Sequence, residues 1–174
     1  GNIMKESYYS VKGKLSLTNA TDWSQARILI SSDPKNEYVI ALEKTNEDMY
    51  QIFTMSKANE DIWNNWTAIV DAEVNEDRNS IDFEVIVDGQ KVYFLMDNQI
   101  YYTADHVALK ESTVKLAGYG KATVTVENID GYIFARQIDV QNYLKSKTKK
   151  DFNGENFGVT VGDGITYLTT DGIN

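Results

Sequence analysis

The chain of 174 residues has no cysteine, one proline and one histidine. Without cysteine it has no disulfide framework and no thiolate metal site, which fits a cytosolic protein and also many bacterial surface proteins. A single imidazole offers too few ligands for a zinc site. No apolar run approaches the roughly 18 residues of a membrane span, so we expect no membrane insertion.

Cationic side chains are also few. Seventeen Lys and Arg residues stand against 26 Asp and Glu residues, for a formal net charge of −9. Nucleic-acid binding draws on clustered Lys and Arg, so we exclude nucleic acid as a partner. No charged segment followed by an apolar one opens the chain, but Gly1 resembles the residue left by a cleavage, so a missing signal segment excludes nothing.

The stretch from Asn79 to Thr103 carries the clearest pattern. Apolar residues alternate from Ile81 to Val87, which predicts a strand with one buried face. Asp88-Gly89 suits the two central positions of a type I′ turn. This turn predicts that Val85 lies opposite Val92, and that one face of the hairpin is buried. The residues on that face are Phe83, Val85, Val87, Val92, Phe94 and Met96.

Short alternating segments recur through most of the chain. About ten strands at 8–12-residue spacing, with little helical periodicity, predict an all-β sandwich or barrel. Among them we predict strands at 66–74 and 107–109. Residues 137–150 have apolar positions near helical spacing, which predicts one short helix. We therefore expect a β-sandwich over residues 6–135 and a C-terminal appendage over 136–174, which either adds strands to the sandwich or begins a small separate unit.

The order of these segments resembles a known family. A strand ending near Gly13, the segments RILISS and FEVIVDGQKVYFLMDN, the VKLAGYG strand and the closing TVTVENI strand are together similar to concanavalin A-like lectins and glucanases, with laminin-G-like bacterial modules nearest in pattern. The resemblance covers about residues 6–134. It implies a jelly roll of two antiparallel sheets, frequent carbohydrate binding on the concave face or at loop rims, and sometimes a calcium ion.

Catalytic patterns are incomplete. Some members of this superfamily carry a Glu-x-Asp-x-Glu strand, and the matching positions here are Ser80, Asp82 and Glu84. A retaining glycosidase needs two carboxyl groups, and a serine in the first position removes one of them. His106 has no serine in a strained elbow motif near it in sequence, so we expect it at the surface or at an edge. We name no catalytic residue, and enzyme activity stays uncertain.

Aromatic and acidic side chains are the better candidates for ligand binding. Tryptophan can stack on sugar rings, and Trp23 and Trp63 lie in polar loops, where stacking on a ligand and capping of the core are equally consistent with the sequence. Trp66 begins an alternating strand, so we expect it in the core. Asp82, Glu84 and Tyr93 are predicted to share the face opposite the core. The predicted ligand-binding residues are Trp23, Trp63, Asp82, Glu84 and Tyr93.

No metal ligand is predicted firmly. Three acidic loops offer oxygen atoms of the kind that calcium prefers, but none matches a dedicated calcium loop, and turn chemistry explains them equally well. Calcium is therefore an open alternative. The loops are Asn46-Glu47-Asp48, Asn75-Glu76-Asp77 and Asp151-Asn153-Glu155.

The sequence thus favours a non-catalytic carbohydrate- or ligand-binding module of a secreted or surface bacterial protein. The expected partner is a polysaccharide or glycan, or a cell-surface protein, and the expected location is extracellular or at the cell surface. A structural or adhesion spacer without a small-molecule ligand is the first alternative. A glycoside hydrolase with a non-standard carboxylate pair is the second. The oligomeric state stays open, because exposed sheet edges invite pairing without showing it.

Overall fold

A computed structural model of the chain describes residues 5–69, 74, 79–150 and 165–167. Within these residues the helix and strands follow one another along the chain. They are β1 (Tyr9–Thr18), β2 (Gln25–Asp33), β3 (Asn36–Lys44), β4 (Tyr50–Ala58), β5 (Asn64–Ala68), β6 (Ser80–Val87), β7 (Val92–Met96), β8 (Gln99–Ala104), β9 (Thr113–Tyr119), β10 (Thr123–Ile133), α1 (Gln137–Leu144), β11 (Thr148–Lys149) and β12 (Ile165–Tyr167).

The strands form two sheets. The seven-stranded sheet has the order β10–β1–β6–β7–β8–β11, with β12 also paired to β8, and the five-stranded sheet has the order β5–β4–β3–β2–β9. The pairs are antiparallel except for β8 with β11. The predicted two-sheet antiparallel sandwich with a C-terminal helix is confirmed. Both β11 and β12 add to β8, while the division into units 6–135 and 136–174 stays a prediction.

The core lies between the sheets and is built from alternate residues of each strand. Ile28, Ile40 and Ile52 of the five-stranded sheet pack in the same buried cluster as Leu15 and Phe83 of the seven-stranded sheet. The predicted buried face of the hairpin is confirmed, since all six of its residues are buried. Because side chains alternate along a strand, the polarity of the sequence was enough to assign this face.

The predicted hairpin register is wrong by two residues. Val87 pairs with Val92 and Val85 pairs with Phe94, because Gly89 and Gln90 are the central residues of the turn. Gly89 takes a φ of +88°, which suits the first position of a type II′ turn. Asp88 therefore precedes the turn, and its Oδ1 accepts hydrogen bonds from the backbone N–H groups of Gln90 and Lys91 at 3.1 and 2.7 Å. A shift of two residues keeps every side chain on its predicted face.

Other element boundaries also differ from the predictions. Of the strand predicted at 66–74, the described part ends at Ala68, and residues 107–109 are a loop in which Val107 and Leu109 are buried by packing instead of strand pairing. The helix ends at Leu144, since residues 148–149 pair with β8. Among the described residues, no helix has the length and apolar character needed to cross a membrane.

Candidate ligand-binding face

The side of the five-stranded sheet that points away from the core carries a mixed polar and aromatic surface. Strand register places Arg27 beside Ala41 and Ala41 beside Phe53, and it places Leu29 beside Val39. These residues alternate with the core residues of the same strands, so they share the opposite face. We call this surface the outer face. It comprises Gln25, Arg27, Leu29, Glu37, Val39, Ala41, Glu43, Gln51, Phe53, Met55, Lys57, Trp63, Trp66, Lys115 and Tyr119.

The middle of the outer face is apolar. Val39, Ala41, Phe53 and Met55 form a buried cluster separate from the main core, with Leu29 and Trp63 packed against it. Val39 and Ala41 are fully buried although they point away from the core. Their burial means that other side chains cover them, among which are Leu29 and Trp63. We call this covered cluster the apolar floor.

A row of hydrogen-bonded polar side chains crosses one end of this floor. The Glu43 carboxylate accepts a hydrogen bond from Gln25 Nε2 on one oxygen and from Gln51 Nε2 on the other, both at 2.6 Å. Gln25 Oε1 in turn accepts a hydrogen bond from Arg27 Nε at 2.7 Å. Gln25 and Glu43 are both buried. The row is therefore held in one geometry before any ligand arrives.

Arg27 is the cation of this row. Its guanidinium carbon lies 4.8 Å from the centre of the Tyr119 ring, so the side chain is held by the ring and by Gln25. Burial lowers the pKa of Arg27, and Tyr119 and Glu43 oppose that shift. Among the described residues, neither terminal guanidinium nitrogen has a hydrogen-bond partner. Arg27 therefore presents pre-oriented donors at the surface of the outer face.

Aromatic rings form the opposite rim. The Trp66 ring lies 5.3 Å from the Phe53 ring with the planes 30° apart, and 57% of Trp66 is exposed. One side of the indole therefore rests on Phe53, and Trp66 keeps a broad exposed surface. Trp63 packs against the apolar floor, and Lys57 Nζ lies 4.6 Å from its ring centre. Lys57 also pairs with Glu37 at 3.1 Å.

The prediction that Trp66 lies in the core is wrong. Strand β5 contains an irregularity opposite β4, where Thr54 pairs with Thr67 but Ser56 pairs with Asn64. Asn65 and Trp66 of β5 thus oppose Met55 of β4, and Asn65 takes a φ of 55°. The face of Trp66 is set on the regular side of this bulge, where Phe53 pairs with Ala68 and Thr54 pairs with Thr67. Because side chains alternate along a strand, the buried Thr67 places its neighbour Trp66 on the outer face with Phe53.

The two tryptophans predicted from the sequence lie at different places. Trp63 is on the outer face, beside Lys57. Trp23 lies in the loop between β1 and β2, where its backbone N–H donates to the carbonyl of Lys44 at 2.7 Å. It precedes Gln25 by two residues, and 47% of it is exposed. Trp23 is therefore a half-exposed residue in the turn just before the strand that carries Gln25 and Arg27.

The three remaining predicted residues lie on the other sheet. Asp82 is exposed, but Glu84 and Tyr93 are buried. Tyr143 of α1 donates from its hydroxyl to Glu84 Oε2 at 2.5 Å, and Lys147 Nζ lies 3.3 Å from Glu84 Oε1. Helix α1 thus covers this face and separates Glu84 and Tyr93 from solvent. Their role in ligand binding stays a prediction, and their geometry here is that of an anchored helix.

Burial and nearby carboxylates raise the pKa values of Tyr93 and Tyr143. Burial, followed by the nearby Asp88, raises the pKa of Tyr93 to about 12. Burial and the hydrogen bond to Glu84 raise the pKa of Tyr143 above its ordinary range. Both phenols are therefore neutral near pH 7, and the Tyr143 hydroxyl serves as a hydrogen-bond donor to the carboxylate.

The single histidine pairs with a serine. His106 Nε2 lies 2.6 Å from Ser56 Oγ, and Asn65 Nδ2 donates to the same oxygen at 3.3 Å. His106 is half-buried in the loop that follows β8, so it is not a fully exposed surface residue. Ser56 is almost fully buried. A nucleophile must reach its substrate, so we interpret the pair as a contact that ties the loop after β8 to β4 and β5.

The described residues contain no group of three or more His, Asp and Glu side chains able to hold a metal ion. In the first acidic loop, Asp48 lies 3.8 Å from Lys44 Nζ. The loops at 75–77 and 151–155 lie outside the described residues. Calcium binding stays a prediction.

The residues that sequence reasoning missed are the polar row, Arg27 and Trp66. A signal for the row was present, since Gln25 and Arg27 alternate with Ala26 and Ile28, and Glu43 ends an apolar strand. That pattern places polar groups on one side of a sheet. The pairing of β2, β3 and β4, which brings the three side chains into one row, is not visible in local sequence.

Comparisons with known proteins find solved structures whose fold is similar to that of this chain. No family model matches the chain, and no curated protein matches its sequence. The toad ovary galectin in complex with N-acetylgalactose superposes with a TM-score of 0.52 at 11% identity, over 76% of this chain and 97% of the galectin. A variant of an ancestral congerin gives 0.51 at 12% identity, over 76% of this chain and 99% of the congerin.

A glycosidase-family protein is similar to the same degree. The Bacteroides ovatus xyloglucan PUL GH43B protein gives a TM-score of 0.53 at 12% identity, over 73% of this chain. The match covers only 27% of that protein, so this chain corresponds to a part of it. Sequence identities this low show a shared fold and nothing about function. Together with the sheet order, they show that the chain has the jelly-roll sandwich fold of the concanavalin A-like lectins and glucanases.

Proposed function

We propose that this chain is a non-catalytic carbohydrate-binding module of a secreted or cell-surface bacterial protein, and that it binds glycan on the outer face of the five-stranded sheet. The observation that carries the proposal is the Arg27–Gln25–Glu43–Gln51 row, which is fixed by hydrogen bonds beside an apolar floor and the exposed Trp66. The galectin match, to a structure with N-acetylgalactose, supports this choice of ligand class.

The outer face supplies both kinds of contact that a sugar needs. Sugar hydroxyl groups donate and accept hydrogen bonds, and the row offers donors on Arg27 next to acceptor lone pairs on Glu43. The C–H face of a sugar ring is apolar and stacks on Trp66. Each hydrogen bond that replaces one to water contributes about 1 kcal/mol net, so stacking must supply much of the rest. The expected dissociation constant is roughly micromolar to millimolar.

The carboxylates of the outer face argue against hydrolysis. A retaining glycosidase holds its two carboxyl groups about 5–5.5 Å apart, and an inverting one about 6.5–9.5 Å apart. Glu37 and Glu43 are six residues apart on one strand, which corresponds to roughly 20 Å. Glu43 is also bonded to two amides and Glu37 to Lys57. Within the outer face as defined above, these two carboxylates are therefore too far apart to act as a catalytic pair.

One observation favours the spacer or adhesion alternative. Ile129, Tyr132 and Ile133 of the edge strand β10 are all more than half exposed, and exposed apolar groups on an edge suit a protein partner. This surface lies on the other sheet from the outer face. A protein that binds no glycan but retains a protein partner through β10 would fit this alternative.

The test is a binding panel with xyloglucan, xylan and immobilised N-acetylgalactosamine, measured by affinity gel electrophoresis and calorimetry. We expect wild-type binding to at least one, a loss of about 10-fold or more in Trp66→Ala, and a smaller loss in Arg27→Gln. Tyr132→Ala removes an exposed ring from the other sheet and is the matched control, with unchanged affinity. The proposal fails if no glycan binds, or if Trp66→Ala and Arg27→Gln both bind like wild type.

A further inference from the structure

We infer that the glycan bound by this chain is an extended oligosaccharide segment that reaches from Trp66 across the polar row to Trp23, so that the site measures chain length. This inference rests on the proposed function and adds the size class of the ligand. It depends on two exposed tryptophans, Trp66 on the outer face and Trp23 in the turn just before β2, with the polar row between their positions in the chain.

The two rings are too far apart for one small sugar. The backbone of Trp23 lies beside Lys44, which is three residues along β3 from Ala41, the partner of Arg27. Ala41 pairs with Phe53 on β4, beside which the Trp66 ring lies. At about 3.3 Å per residue along a strand and about 4.8 Å between strands, the two positions are roughly 15 Å apart. Several linked sugar units are needed to contact both rings at once.

The polar row occupies the path between the rings. Gln25 follows Trp23 by two residues, Glu43 pairs with Gln25 on the next strand, and Arg27 lies one step further along β2. A chain that stacks on Trp66 and continues towards Trp23 therefore passes over the donors and acceptors of this row. The hydroxyl groups of the middle units meet Arg27 and Glu43, while the terminal units meet the indoles.

The backbone at Trp23 supports a fixed placement of this ring. Trp23 has a φ of 69°, a region that bulky residues rarely adopt. The loop is held on both sides of the residue, since Lys44 Nζ pairs with Asp22 at 2.7 Å and Ser24 N–H donates to the carbonyl of Thr21. An exposed tryptophan in a strained and well-tethered loop is better explained by contact with a ligand than by packing.

A length series tests the inference. The probes are xylo-oligosaccharides of two to six units, together with the matching oligomers of whichever polysaccharide the panel retains. Wild-type affinity should rise about 10-fold or more between the shortest and the longest probe. Trp23→Asn removes the ring and keeps a residue that tolerates positive φ, so circular dichroism and thermal unfolding should match wild type.

The variants separate the inference from the proposed function. Trp23→Asn should remove the gain with length and leave the affinity for the shortest probe unchanged, whereas Trp66→Ala should weaken every probe. Met49→Ala removes another exposed apolar side chain and is the control. If Trp23→Asn binds the longest probe like wild type while Trp66→Ala does not, the inference is wrong and the proposed function stands. If no probe and no polysaccharide binds, both are wrong.

Discussion

The Asp88 side chain stabilises both the hairpin turn and the position of α1. It is buried, and its carboxylate accepts hydrogen bonds from the N–H groups of Gln90 and Lys91 and from Gln141 Nε2 of α1 at 2.9 Å. One side chain thus fixes both the turn and the position of the helix. A buried donor left without its acceptor costs about 1–3 kcal/mol.

We therefore expect Asp88→Ala to lower the free energy of unfolding by about 2–3 kcal/mol, because several donors lose their acceptor together. Asp88→Asn keeps one acceptor oxygen for the turn and should lose clearly less. Urea denaturation of the three proteins measures the difference. Equal stability of Asp88→Ala and wild type would show that water replaces the carboxylate.

Single residues also mark the limit of prediction from sequence. The burial of Phe83 and Phe94 follows from alternation, and a two-residue shift leaves it unchanged. The exposure of Trp66 follows from alternation with the buried Thr67 and Ile69, but the local sequence does not show which of the two alternating faces meets the core. Trp63 could be named because it lies in a polar loop, whereas Arg27 looked like one charge in an apolar strand.

At the scale of elements, the segment that follows α1 is attached to the seven-stranded sheet by a buried ion pair. Lys147 and Glu84 are both nearly fully buried, and Lys147 Nζ also donates to Asn98 Oδ1 at 2.9 Å and lies 4.6 Å from the Tyr143 ring centre. Val140 of the helix belongs to the main core. The pair therefore specifies where the helix lies, while burial of Val140 contributes the apolar part of the contact.

Lys147→Met should lower the free energy of unfolding by about 3–5 kcal/mol, since it leaves the Glu84 carboxylate buried without its cation. Adding Glu84→Gln to Lys147→Met should restore much of this loss. Arg136→Met breaks the exposed pair with Asp139 at 3.0 Å and is the control, with a much smaller expected change because solvent screens exposed charges. Chemical denaturation of these variants and wild type measures the differences in stability. If the Lys147→Met protein is as stable as the Arg136→Met protein, the interpretation is wrong.

Elements could be predicted more reliably than their partners. Strand existence follows from local alternation, and one short helix was predicted and found. The face on which the ligand binds could not be predicted from local alternation. The hairpin presented carboxylates opposite its core, but Tyr143 of the helix, 59 residues after Glu84, covers that face, and such a contact has no local signal in the sequence.

At the scale of the whole molecule, several tyrosine hydroxyl groups are shielded from water in different parts of the fold. Burial raises the pKa of Tyr9, Tyr38, Tyr93 and Tyr143, against an ordinary value of 10.0. A group whose pKa is raised in the folded state makes its full contribution to the free energy of unfolding at pH values below its unfolded pKa. Its contribution falls as pH rises, because the unfolded chain then loses the proton first.

We therefore expect the contribution of these tyrosines to stability to be constant below about pH 10 and to fall between about pH 10 and 12. For Tyr93, whose pKa is about 12, the loss at the top of that range is of the order of 2 kcal/mol. Tyr93→Phe should show a shallower decline over the same window. Urea midpoints at stepped pH values provide the measurement, and a flat profile up to about pH 11.5 would refute the prediction.

The place of β1 has a consequence for a chain emerging from the ribosome. This strand lies between β6 and β10, and its first residue Tyr9 bonds through its hydroxyl to Ser112 Oγ at 2.6 Å, 103 residues away. This strand is thus made before both of its neighbours and acquires the second only when β10 has been synthesised. Until then Leu15 and Leu17 have no completed sheet to cover them. Slow, non-local pairing of this kind exposes a nascent chain to aggregation, so synthesis rate and chaperone access should influence the yield of this protein.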